Sequence, residues 1–251
     1  AIGSLTAPTV EHLDAVLRRL AATAAHNHTA VPDLAAVELT ATHLVLHLRT
    51  PATPPPPWQA ATGTAWHIPA DLPVDVIGPD LPDQPAPYPL LATIGADDNG
   101  HMWLLNLEDL DLTLTGDPTY AGDLARYLVA EIACHPWASG TIVDLVGVGE
   151  ELVGLDPDRI HHHPPGTDDP IEDALAEAVH TIDRATDANL DVPTARSAGV
   201  GADAWPARLL LVDANDTQPV LGQLLEVVRT HLGRTATCVL LTGQPPATTS
   251  R

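Results

Sequence analysis

The feature that most constrains this chain is a set of short, unbroken apolar runs in its second half. Thr141-Ile142-Val143-Asp144-Leu145-Val146-Gly147, Arg208-Leu209-Leu210-Leu211-Val212-Asp213 and Thr237-Cys238-Val239-Leu240-Leu241 are each five to seven residues long. Runs of that length without alternation suit strands buried on both faces. The segments between them have helical spacing. Residues 169–187 put Ile171, Leu175, Val179 and Ile182 on one face, and 119–134 step round through Leu124, Tyr127, Leu128, Glu131 and Ile132. A further helix is expected over 219–232 and a short one over 150–155. Strand and helix in alternation argue for a parallel sheet covered by helices on both sides.

The first half follows other periods. Val10, Leu13, Val16, Leu17 and Leu20 form one helical face, with Thr9 as N-cap. Residues 36–40 and 43–48 alternate with period two, so Leu44, Leu46 and Leu48 share one face and His43, Val45 and His47 the other. Prolines across 51–57 force an extended loop, 64–68 reads as another strand, and 69–89 as a long irregular connection. Residues 90–94 and 101–107 flank an Asn99-Gly100 turn, the signature of a second hairpin. The expected architecture is α/β. An N-terminal helix with β-hairpins occupies 1–87, and a largely parallel sheet flanked by helices occupies 88–251, P-loop-like or Rossmann-like in a degenerate form.

Charge narrows the function. The 251 residues carry 33 acids against 11 basic groups, all arginine, for a formal net charge of -22. Without lysine there is no Schiff-base chemistry and no lysine to hold a phosphate. The sign repels nucleic acid backbones and anionic membranes. Aromatics make up 3%, with no Phe, so the core is expected to be Leu, Val, Ile and Ala. Cys134 and Cys238 read as buried thiols, since two cysteines make neither a disulfide framework nor a metal cluster. No stretch approaches the ~20 apolar residues of a membrane span, and no signal-peptide pattern opens the chain. Ala1 in place of a start methionine is compatible with a piece of a longer protein.

Several motifs bear on chemistry. Gly116-Asp117-Pro118-Thr119-Tyr120-Ala121-Gly122-Asp123 lies where a strand passes into a helix, the place of a phosphate loop. Against G-x-x-x-x-G-K-[ST], the second glycine is one position late and Asp123 stands where lysine belongs. Gly116, Thr119 and Gly122 are therefore candidates for a degenerate phosphate loop, and the alternative is an ordinary strand–helix turn. Asp213 ends an apolar strand in the manner of a metal-holding acid of nucleotide hydrolases. Beside Asn215 and Asp216 it also reads as a capping or loop aspartate. His161-His162-His163 is the densest histidine cluster, but adjacent residues of an extended segment point to alternate sides. His43 and His47 read as structural, and Glu150-Glu151 as acids at a helix start. No catalytic or metal residue is assigned, and no cofactor is expected.

The order of segments resembles one family. Helix, VELTATHLVLHL, a proline-rich break, TAWHIP, PYPLLATIGADDNGHMWLLNLEDL, LTGDP with a helix, HPWASGTIVDLVGVGEEL, LDPDRI, an amphipathic helix and a final strand–helix–strand run through nearly the whole chain. The chain is similar in this to the central cytoplasmic region of actinobacterial proteins that combine LysM peptidoglycan-binding repeats with a bacterial transcriptional activator domain. The α/β half also resembles, more weakly, degenerate P-loop DNA-translocase ATPases, from which it departs at the missing lysine.

The first resemblance implies a non-enzymatic regulatory or scaffolding module on the cytoplasmic side of a membrane-anchored protein, contacting a protein partner or other domains of its own chain. The alternatives are a non-hydrolysing nucleotide sensor and a transcriptional regulator that binds nucleic acid through a domain outside this sequence.

Overall fold

The computed structural model describes residues 9–81, 83–200, 205–213 and 219–243. The chain divides into two compact units: Ala1–Asn106 with Pro193–Ala204, and Leu107–Val192 with Trp205–Arg251.

The first unit begins with α1 (Val10–His26), capped by the Thr9 side chain, which accepts from the His12 backbone N–H. Its apolar stripe, Leu13, Val16, Leu17 and Leu20, is buried. β1 (Leu34–Leu39), β2 (His43–Leu48), β3 (Gln59–Thr62), β4 (Ala65–Pro69), β5 (Leu91–Ala96) and β6 (Met102–Asn106) form a six-stranded sheet in the order β3-β4-β2-β1-β6-β5. All its pairings are antiparallel. In β2 the leucines are buried and His43, Val45 and His47 half-buried, as period two requires for a sheet covered on one side.

The 69–89 connection is held down rather than loose. It contains a 3-10 turn (Val74–Val76) and buries Ile77, Gln84 and Tyr88. Tyr88 Oη donates to the Pro32 carbonyl at 2.6 Å. Gly78 sits so close to α1 that a Cβ there would lie 2.6 Å from the Arg19 carbonyl oxygen. The short helix α4 (Val192–Ser197) closes this unit, with Arg196 Nη1 donating to the Pro87 carbonyl and Thr194 Oγ1 accepting from the Val31 N–H.

The second unit holds β7 (Asp111–Leu114), α2 (Pro118–Cys134), β8 (Ile142–Val146), β9 (Ile160–His163), α3 (Asp169–Ala188), β10 (Arg208–Asp213), α5 (Pro219–Thr230) and β11 (Thr237–Thr242). Its sheet, β7-β11-β10-β8-β9, is parallel throughout. The apolar runs read from the sequence are its central strands, and every residue of β11 is buried. One face packs Val146, Leu210, Val212, Val239 and Leu241 against Ile171, Ala174 and Ala178 of α3 and Leu221, Leu224 and Val228 of α5. The start of β11 is pinned by buried Asp109, whose Oδ1 accepts the Thr235 and Ala236 N–H groups at 2.8 and 3.1 Å.

The α/β class and the flanked parallel sheet are as expected, but the boundary at 87/88 shifts to 106/107. The Leu91–Asn106 hairpin joins the first sheet because β6 pairs with β1 through Ala36–Leu105 and Leu39–Met102. Local sequence shows a hairpin but not its neighbour. Cys134 is exposed rather than buried, since it lies on the outer side of the last turn of α2. Cys238 is buried, which pushes its thiol pKa up. No helix among the described residues is long and apolar enough to cross a membrane.

Candidate functional site

Because the second sheet is parallel, all its strands end at one edge, the side on which open α/β sheets hold ligands. Two features singled out in the sequence meet this edge. The Gly116 turn follows β7, and Asp213 ends β10. Between those strands runs β11, with Asp213 in register with Thr242 and Thr242 with Leu114. The turn and the acid therefore stand two strand spacings apart, about 10 Å. Asn215 and Asp216 lie outside the described residues.

The position suits a phosphate loop, but the local chemistry does not. Only Thr115, Gly116 and Asp117 separate β7 from α2. Gly116 turns the chain at φ +113°, a conformation open to glycine. Thr119 is exposed in the first turn of α2. Gly122, expected to close a loop, lies inside the helix instead, with ideal Cβ space limited by Arg126 Nη1 at 3.0 Å. Asp117 is the N-cap and accepts the Thr119 N–H at 2.9 Å. Pro118 has no N–H. The chain's own carboxylate thus occupies the place an anion would take at this helix terminus.

The histidine run of β9 alternates as its strand geometry requires. His161 and His163 face Asp144 of the neighbouring β8, with Nδ1 and Nε2 lying 3.7 and 2.9 Å from its Oδ1. His162 lies on the other side of the strand, the side of Glu151, whose carboxyl the Arg126 hydrogen bond above all holds below its ordinary pKa. Asp144 is buried, and its Oδ2 lies 2.9 Å from Arg208 Nε. That N–H is not aimed at the oxygen, so the contact is Coulombic rather than a hydrogen bond. One buried carboxylate therefore orders two imidazoles and a guanidinium. The lone acid inside the apolar run 141–147 was the signal for this cluster, and sequence reasoning passed over it.

A related cluster lies on the half-open face of the first sheet. Glu38 Oε2 pairs with His47 Nε2 at 2.9 Å and Oε1 with His101 Nδ1 at 2.8 Å. His43 meets His67 edge to face at 5.2 Å between ring centroids. Neither cluster converges on a point: among the described residues no group of three or more His, Cys, Asp or Glu side chains is arranged to hold a metal ion. Both arrangements bind histidines to carboxylates within the fold, and neither sets a nucleophile beside a base.

No family model and no curated protein matches the chain. The solved structures similar to it include two at low identity. One is the cytoplasmic domain of the Thermomonospora curvata type VII secretion ATPase EccC, 17% identical over 64% of this chain and 22% of that one, with a TM-score of 0.45. The other is the pCW3 conjugation coupling protein TcpA in its monomer form with ATPgS, 9% identical over 91% of this chain and 76% of that one, with a TM-score of 0.43. The chain spans only about a fifth of the EccC polypeptide. At these identities and TM-scores neither likeness carries an argument about activity, and none assigns the chain to a family.

Proposed function

We propose that this chain is a non-enzymatic regulatory or scaffolding interaction domain with an α/β core, acting on a protein partner or on other parts of a longer chain. The observation that supports this reading is the self-capped start of α2. Asp117 accepts the Thr119 N–H, Pro118 offers none, and no lysine exists to neutralise a triphosphate. In this reading the module works on the cytoplasmic side of a membrane-anchored protein of the LysM and activator-domain type. The test is ATP turnover by the purified chain. Background rates are expected, unchanged by Thr119→Ala or Asp213→Ala; turnover lost on either substitution overturns the proposal.

A second reading, a nucleotide sensor that does not hydrolyse, draws on the placement of the Gly116 turn and Asp213 at the carboxyl edge of the sheet. Calorimetry with ATP, GTP and cyclic dinucleotides separates the two. Saturable heat at millimolar ligand favours the sensor, and its absence removes it. Binding of nucleic acid belongs, if anywhere, to a domain outside this sequence. At a net charge of -22 this chain is expected to leave DNA unshifted in a low-salt gel.

A further inference from the structure

The chain is poor in aromatic residues and hides most of them: Trp58, Trp66, Trp137, Trp205 and Tyr88 are all buried. Two of the three tyrosines do the opposite. Tyr120 and Tyr127 stand 76% and 42% exposed on α2, with Leu124 between them at 38%. Their i, i+4, i+7 spacing draws one line along the helix. The inner face of α2 buries Ala125, Leu128, Val129 and Ile132, so this helix is apolar on two sides. Tyrosine is enriched where proteins bind one another, because it buries a large rigid area and keeps a polar tip.

Charge selects the occupant. Asp123 beside the stripe is exposed, and Arg126, the cation of α2, already lies against the Glu151 carboxylate and 3.9 Å from Asp123. Glu131, further along, pairs with His135 at 2.7 Å. A second copy of this chain would bring acid against acid at a net charge of -22, and nucleic acid or anionic lipid has the same wrong sign.

We propose that the outer face of α2 is a docking surface for a cationic amphipathic helix of a partner. Its apolar residues cover Tyr120, Leu124 and Tyr127, and its Arg or Lys side chains flank them opposite Asp123 and Glu131. This deepens the interaction-domain reading and rests on it. Three anchors make a small contact, so the complex is transient and weakens with salt.

Exposed Cys134 in the last turn of α2 provides the probe. Cys238 is buried with a raised thiol pKa, so a thiol-reactive dye labels Cys134 alone. The labelled chain is titrated with a synthetic Leu/Arg amphipathic helix of about 15 residues, and unlabelled protein is titrated in a calorimeter as a check on the dye. Saturable binding is expected, about tenfold weaker with Tyr120→Ala and Leu124→Ala together. Val179→Ala, in the shallow groove between α3 and α5, is expected to leave it unchanged, and a Leu/Glu peptide of the same pattern is expected not to bind.

Three results overturn the proposal: no binding, binding indifferent to the double substitution, or a dimer in sedimentation that the same substitution dissolves. Nucleotide calorimetry on the same sample keeps the two proposals apart. Heat with ATP removes the scaffold reading, whereas a failed peptide titration without nucleotide heat removes only the docking surface.

Discussion

Each sheet holds one carboxylate that orders two histidines, and the two clusters live in different surroundings. Asp144 in the parallel sheet has a side chain 3% exposed and leans on Arg208, while Glu38 in the antiparallel sheet is 16% exposed; the imidazoles of both clusters are partly exposed. The chemistry is nearly the same, but the desolvation is not. Inside a parallel sheet with helices over its faces the Asp144 carboxylate itself has little access to water, so it leans on a guanidinium as well as on its imidazoles. The half-open face of the antiparallel sheet lets water screen the same contacts. Burial, rather than the identity of the groups, sets what each cluster contributes.

The sharpest way to break that comparison is to remove both acids in turn. Asp144→Ala strands Arg208 in the interior and is expected to cost about 3–5 kcal/mol, read as a fall in the urea midpoint. Gly78→Ala comes next. It drives a methyl into the Arg19 carbonyl and is expected to cost about 1–3 kcal/mol, which would show the covered side of the antiparallel unit to be as tightly packed as the parallel core. Glu38→Ala should cost about 1 kcal/mol or less. A loss equal to that of Asp144→Ala would erase the distinction between the clusters.

The smallest effects test the open surfaces. Exposed Gly222 in α5 has nothing within 4 Å of an added Cβ, so Gly222→Ala is expected to stabilise by about 0.5–1 kcal/mol in the same melt. Asp97, in the turn next to His101, has a pKa below its ordinary 3.8 because the His101 and Asn99 backbone N–H groups hold its ionised form. A depressed folded pKa means stability present above the unfolded value and lost as pH falls through the folded one. The Asp97 carboxyl should therefore titrate below pH 3.8 when followed by NMR.

How much was legible depended on burial. The apolar runs of β8, β10 and β11 announced themselves, and so did α1 and the alternation of β2. β3 was missed because all four of its residues are exposed, and an edge strand of that kind carries no period. The 3-10 turn at Val74–Val76 was likewise hidden in a stretch rich in Pro and Asp. At the candidate site the Gly116 turn and Asp213 were found by spacing, while Asp144 and Glu38 were not. A single acid in a strand looks the same whether it ends up in solvent or against an arginine far along the chain.

The sequence by itself determined the local periods, the absence of lysine and the acidity, and with them the α/β class and the poor fit to phosphate. Tertiary structure decided which sheet the Leu91–Asn106 hairpin joins, which helix terminus Asp117 closes, and which strand brings Asp144 beside His161 and His163. Helical and strand periods are written over a few neighbouring residues, where a side chain's polarity suffices to read them. Strand pairing and ion pairs join residues far apart in the chain, and they exist only once the backbone has brought those residues together.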